Sequence, residues 1–138
     1  GLKEPLLTTG TLGAADIIYV HYLDATHVQF GLDHWSEGLS VGPVVAIDPS
    51  QPQDLTIALG SLYPPAGHPT WSDRPADARS ALANRIEVRL GDRVVLNAPR
   101  TAYPSRPNQV VLGRNDLGAS SCQRLFSGEI LRHRRLPW

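Results

Sequence analysis

The sequence predicts an all-β fold, an antiparallel β-sandwich made of two sheets. Apolar and polar residues alternate with a period of two along most segments rich in valine, isoleucine and leucine. Glycine and proline number 12 each, a heavy load of turn-forming residues for a helical bundle. Turn signals separate many short segments, which is typical of sandwiches and also of barrels. A β-barrel is therefore the alternative architecture.

The first predicted hairpin joins the β-rich runs 16–22 and 27–33 through a short turn that contains Asp24. If the turn has an even number of residues, Tyr22 lies opposite His27 and the two strands share a core face. That face consists of Ile17, Tyr19, His21, Val28, Phe30 and Leu32. His21 and His27 then point to opposite faces and cannot share a metal ion, whereas an odd turn would put them on one face.

Further strands and one short helix are predicted downstream. The strands cover residues 43–47, 54–60, 84–90, 93–97, 109–113 and 125–132, and the helix covers 75–84. A long loop runs from about Tyr63 to Arg79 and contains several prolines. Loops of this length in a small domain are often functional.

Composition excludes several classes of protein. A chain of 138 residues fits one domain, 1–138, and a net charge of zero disfavours a nucleic-acid partner. No apolar run approaches the roughly 20 residues that cross a bilayer. Cys122 is the only cysteine, which excludes an intrachain disulfide and predicts a small apolar core residue. Because the chain starts with Gly1 and has no methionine, we expect it to be a fragment of a larger protein. Its 12 arginines against one lysine suggest a GC-rich bacterial genome.

The second half of the chain resembles a known family. The hairpin 86–96, the turn Val111–Gly113 with Asn115, and the run Phe126-Ser-Gly-Glu-Ile130 follow one another as in the concanavalin A-like jelly rolls, closest to the laminin G-like branch. The match is good over residues 84–134 and only topological over 1–62. The resemblance implies a two-sheet jelly roll whose concave face or rim loops bind glycans or proteins, sometimes through calcium. Paired glutamates like those of the glycoside hydrolases of this fold are missing, so we expect no enzyme activity.

The predicted ligand site combines two segments. Asp33, His34 and Trp35 end a predicted strand at the rim, and Tyr63 and Trp71 lie in or beside the long loop. Aromatic rings can stack on sugar faces while aspartate and histidine bond to the hydroxyls. The alternative is structural: Trp35 would then fill the end of the core and Asp33 would cap a turn.

Two weaker patterns have a functional and a structural interpretation. Asn115 and Asp116, together with Asp48 or Asp33, could donate oxygens to calcium, although such residues beside glycine also form turns. The run Gly38-Leu-Ser-Val-Gly42 matches a nucleophile elbow around Ser40, but Pro43 and a β-rich run follow it instead of a helix. A loop is the simpler interpretation.

The sequence thus predicts a non-catalytic binding module, a carbohydrate-recognition domain of an extracytoplasmic bacterial protein. The alternative is a structural or interaction module that contacts a neighbouring protein domain and takes no small ligand. The predicted partners are a glycan or a protein domain, with no nucleic acid and no transmembrane segment. No cofactor is predicted, apart from calcium as an option.

Overall fold

The strands of the chain form two antiparallel sheets in the computed structural model, which describes residues 1–119 and 121–137. In chain order they are β1 (Lys3–Thr11), β2 (Ala14–Tyr22), β3 (His27–His34), β4 (Gly38–Val41), β5 (Val45–Ala46), β6 (Leu55–Leu59), β7 (Ile86–Leu90), β8 (Arg93–Asn97) and β9 (Val111–Leu112). The larger sheet has the order β4-β3-β2-β1-β9, with β5 also paired to β3, and the smaller sheet has the order β6-β7-β8. The prediction of two antiparallel sheets is confirmed.

One hydrophobic core connects the two sheets. The larger sheet contributes Ile18, Val20, Phe30 and Leu32 among others, and the smaller sheet contributes Leu59, Ile86, Val88 and Val95. These are the inward positions of an alternating pattern, which is why the predicted strands 54–60, 84–90 and 93–97 appear as β6, β7 and β8. The predicted helix 75–84 appears as α1 (Ala76–Ala83).

The predicted core face of the first hairpin is wrong by one residue on β2. Tyr22 pairs with Val28, so Ile18, Val20 and Tyr22 face the core, and Ile17, Tyr19 and His21 face the other way. The cause is the turn, where Asp24 Oδ1 accepts hydrogen bonds from the backbone N–H groups of Thr26 at 2.8 Å and His27 at 2.9 Å. Because of this turn, His27 does not pair with Tyr22, as it would across a turn with an even number of residues.

The outer face of the larger sheet, which carries Ile17 and Tyr19, is also buried. The segment 114–124 contacts it: Thr8 Oγ1 donates to the Arg114 carbonyl at 2.8 Å, and the Gln123 N–H donates to the Lys3 carbonyl at 2.8 Å. Tyr19 itself lies over Gly31, where any added Cβ would come within 2.2 Å of the ring. The central strands of the sheet are therefore covered on both sides.

Three strand predictions differ from the structure. Strands β1 and β4 were not predicted. Strand β1 contains Pro5, which lies where the register of its pairing with β2 shifts. A proline is expected in a central strand only at such an irregularity, so the sequence of β1 does not look like that of a central strand. The predicted strand 125–132 is wrong, because that segment forms only an isolated bridge between Arg114 and Leu125. Its Phe126 side chain still packs against the core.

Replacing Leu32 should test the corrected core. Leu32 is fully buried, whereas Leu39 on the adjacent strand is 48% exposed. Leu32→Ala should therefore lower the free energy of unfolding by about 2–5 kcal/mol. Leu39→Ala, the matched control, should change it by less than about 0.5 kcal/mol. Urea unfolding followed by circular dichroism measures both values, and equal effects would contradict this assignment of the core.

Candidate functional site

Asp33 and His34 of the predicted ligand site point to opposite faces of the larger sheet. Asp33 pairs with Ile17 on the outer face, and His34 pairs with Asp16 and is buried. Because side chains of consecutive strand residues alternate between faces, these two cannot contact one ligand on the same side of the sheet. The predicted cluster is therefore divided.

His34 belongs to a buried polar array with Asp16 and Tyr103. His34 Nδ1 lies 2.6 Å from Asp16 Oδ1, and Asp16 Oδ2 accepts a 2.8 Å hydrogen bond from the Tyr103 N–H. The Tyr103 ring stacks on the imidazole with centroids 4.3 Å apart. Burial raises the pKa of the Asp16 carboxyl, although the hydrogen bonds from His34 and Tyr103 oppose that rise. The array fastens the segment after β8 to the start of β2 and the end of β3.

Trp35 is half-buried directly above this array. Its backbone N–H donates to the Ala15 carbonyl at 3.0 Å, and its carbonyl accepts a 2.7 Å hydrogen bond from Tyr103 Oη. The nearest charged neighbours of the array are Glu37, whose Oε2 lies 3.7 Å from His34 Nε2, and Arg100, whose Nη1 lies 3.8 Å from the same oxygen. Trp35 is thus neither fully buried nor fully exposed.

The two aromatic residues of the long loop differ in exposure. Trp71 is buried, and its Nε1–H is shared between the carbonyls of Pro64 at 2.9 Å and Pro65 at 3.0 Å. These hydrogen bonds and the burial of the ring stabilise the folded conformation of the loop. Tyr63 is half-buried beside Arg85, whose pKa is raised chiefly by its hydrogen bond to Glu87 and also by Tyr63. Only Tyr63 of this pair has a partly exposed ring.

A polar cavity lies among residues 115–119 and 122–124. It has a volume of about 430 Å³, and we call it the loop bowl; its polar lining side chains are Asn115, Asp116, Cys122, Gln123 and Arg124. Asn115 is buried, and its Nδ2–H donates to the Ala119 carbonyl at 2.8 Å, while its N–H donates to the Arg124 carbonyl at 2.8 Å. These bonds fix the shape of the bowl. Ligand pockets commonly have volumes of about 300–1,000 Å³.

Of the calcium candidates, Asn115 and Asp116 both line the loop bowl. Asp116 Oδ2 is paired with Arg114 Nη2 at 2.8 Å, and Asp116 carries the one carboxylate in the lining. Calcium requires six to eight oxygen ligands. Within residues 1–119 and 121–137, no three side chains of the His, Cys, Asp and Glu types come together as a metal site. Calcium at this position remains a prediction.

Cys122 connects the bowl to Asp33. Burial, and after it the negative charge of Asp33, raises the pKa of the Cys122 thiol to about 11. The same two causes raise the pKa of Tyr19, which lies beneath the segment. The charge of Asp33 therefore acts on Cys122, which lines the bowl. Sequence analysis did not identify Gln123 and Arg124 as lining residues. The signal that pointed to this part of the chain was the pair Asn115 and Asp116 near Gly118.

The remaining motifs have structural positions. Ser40 lies inside β4 opposite Leu32, so the Gly-x-Ser-x-Gly run is a strand and not the sharp turn of a nucleophile elbow. His21 lies opposite Gln29, which puts His21 and His27 on one face, as an odd turn would. The His27 ring is bound to Asp24 at 3.0 Å.

No protein-family model, no curated protein and no solved structure matches this chain. Across the described part of the chain, none of the helices has both the length and the apolar character that a membrane crossing requires.

Thiol reactivity should report the environment of Cys122. With a pKa of about 11 instead of the ordinary 9.0, the native thiol holds about a hundredfold less thiolate at pH 8, and because that thiolate is more nucleophilic it should react with DTNB about tenfold more slowly than the same thiol in urea-unfolded protein. The rate for native protein should keep rising beyond pH 9, whereas the rate for unfolded protein levels off there. Equal rates at pH 8 in both states would contradict the raised pKa.

Proposed function

We propose that this chain is a non-catalytic binding module of the concanavalin A-like, laminin G-like jelly-roll type, and that it binds carbohydrate in the loop bowl. The observation that carries the proposal is the bowl itself, where amide, carboxylate and guanidinium groups line one concavity of ligand size. The proposal includes the extracytoplasmic bacterial location expected from the sequence.

The chemistry of the lining suits sugar hydroxyls, which both donate and accept hydrogen bonds. Asp116 supplies acceptors, Arg124 supplies donors, and Gln123 supplies both. Hydrogen bonds to charged groups are stronger than neutral ones, about 1.5–3 kcal/mol each. The buried bonds of Asn115 hold the lining in place before a ligand arrives, which lowers the entropic cost of binding.

The packing of the C-terminal segment supports the jelly-roll part of the proposal. Gly113 has a positive φ of 65°, which suits the turn that the resemblance implies. A side chain at this glycine would meet Ile130 and Phe126, so the Phe-x-Gly-x-Ile run packs over the turn. The run packs beside this turn without forming the closing strand that the resemblance implies, so the support comes from its packing alone.

Removing the polar lining should weaken glycan binding. An oligosaccharide identified by array screening should lose at least about tenfold in affinity for Gln123→Ala/Arg124→Ala, because a charged hydrogen bond disappears. The matched control Gln51→Ala/Arg93→Ala changes the same residue types at exposed positions and should bind like the parent protein. Isothermal titration calorimetry gives the affinities, measured with calcium and with EDTA.

Two outcomes would contradict the bowl as the site. If Trp35→Ala abolishes binding while Gln123→Ala/Arg124→Ala leaves it intact, the ligand lies at the rim. If no glycan on the array binds, carbohydrate recognition fails as a function. A loss of binding in EDTA that calcium restores would assign the metal a role in the same bowl.

The second candidate is an interaction module, favoured by the edge strand β4. Leu39 and Val41 point to the same face and are 48% and 51% exposed, and Val44 beyond them is 48% exposed. An edge strand with exposed aliphatic side chains and open backbone groups can pair with another strand. Two copies could pair through β4 around a two-fold axis.

Sedimentation velocity should separate the two candidates. If β4 is an interface between copies, the protein forms dimers as its concentration rises, and Leu39→Lys/Val41→Lys remains monomeric because charge on the edge blocks pairing. Val94→Lys, an exposed valine of the smaller sheet, is the control and should still dimerise. A parent protein that stays monomeric at every concentration contradicts self-pairing through β4.

A further inference from the structure

The segment 128–137 is exposed along its whole length, although the Ile130 side chain lies beside Gly113. The preceding residue, Ser127, is tied to the buried Glu4 by hydrogen bonds from its N–H at 3.0 Å and its hydroxyl at 2.9 Å. Beyond it, none of the hydrogen bonds or ion pairs between described residues includes a residue of 128–137. We call this stretch the terminal segment.

Positive charge is concentrated in the terminal segment. Arg132, Arg134 and Arg135 stand within four positions, and Glu129 is the one acidic residue of the segment. The chain as a whole has a net charge of zero, so this basic cluster is local. Elsewhere the described ion pairs match arginines such as Arg85, Arg89 and Arg114 with a carboxylate. The three arginines of the terminal segment have no such partner among the described residues.

Large aliphatic side chains flank these arginines on both sides. Ile130 is 41%, Leu131 is 65% and Leu136 is 45% exposed. Removing such apolar surface from water stabilises a complex by about 25 cal/mol per Å². A partner with both negative charge and an apolar interior would therefore contact the arginines and the aliphatic side chains of the segment. An acidic polymer would contact the arginines alone.

We infer that the terminal segment binds the surface of bilayers that contain anionic phospholipid. The guanidinium groups of Arg132, Arg134 and Arg135 bond to headgroup phosphates, for which the planar arginine fork is well matched. Leu131 and Leu136 enter the boundary between headgroups and acyl chains. Each arginine near an anionic surface strengthens binding about fivefold. Binding is therefore reversible and sensitive to salt. This inference is independent of the carbohydrate site.

Vesicle co-sedimentation of the full chain tests the inference. The protein should bind vesicles of phosphatidylcholine mixed with phosphatidylglycerol and should not bind vesicles of phosphatidylcholine alone. Arg132→Gln/Arg134→Gln/Arg135→Gln should lower the partition coefficient about a hundredfold, at about fivefold per arginine. The control Arg79→Gln/Arg93→Gln/Arg106→Gln removes the same charge from exposed positions elsewhere and should partition like the parent protein.

The aliphatic side chains separate a lipid surface from other anionic partners. Leu131→Ser/Leu136→Ser keeps every charge and should still weaken vesicle binding at least several-fold. Circular dichroism checks that each variant is folded, as expected for changes at exposed positions. Four results would overturn the inference: equal binding to both kinds of vesicle, an equal loss in the control triple variant, no effect of the leucine variant, or binding to polyglutamate or duplex DNA as strong as to the anionic vesicles.

Discussion

The Asp24 turn between β2 and β3 determines which side chains face the core. Its carboxylate accepts hydrogen bonds from two backbone N–H groups, and the bond from Thr26, followed by the contact with the His27 ring, lowers the pKa of Asp24 to about 2. In the resulting register Tyr22 pairs with Val28, and the same register continues along the whole hairpin. A one-residue slip would exchange the two faces of a strand. The core, the buried array at His34 and the covered outer face therefore all depend on this one turn.

Covering the larger sheet on both faces has an energetic cost that is visible in its polar atoms. Tyr19 Oη, Asn115 Oδ1 and Ser121 Oγ are buried without a hydrogen-bond partner among the described residues. All three belong to the outer face or to the segment that covers it. An unpartnered buried polar group destabilises a fold by about 1–3 kcal/mol. Such groups are rarely retained unless a site requires them. Two of the four unpartnered atoms among the described residues, those of Asn115 and Ser121, belong to the part of the chain that also forms the loop bowl.

The sequence predicted the strands that alternate cleanly and missed those whose partners decide their structure. Strands β6, β7 and β8 follow from their own pattern of buried residues. Strand β1 does not, because Pro5 and the shifted register after it break the pattern that a central strand normally shows. The segment 125–132 has a strand-like sequence but pairs only at Leu125, since propensity alone does not supply a neighbouring strand. The Asp16–Tyr103 hydrogen bond joins residues 87 positions apart, and no local pattern encodes such a contact.

The division of the predicted ligand site follows from strand geometry. Asp33, His34 and Trp35 are adjacent in sequence, yet the first faces outward near Cys122 and the second is buried with Asp16. Trp71 looked like an aromatic platform in a long loop, but both of its indole hydrogen bonds go to carbonyls of that same loop. Neighbours in a strand therefore make poor partners in a site, whereas a short loop can turn several polar side chains toward one point. This is why the proposed site lies in the loop bowl, after the last strand, and not at the rim where the aromatic residues cluster in the sequence.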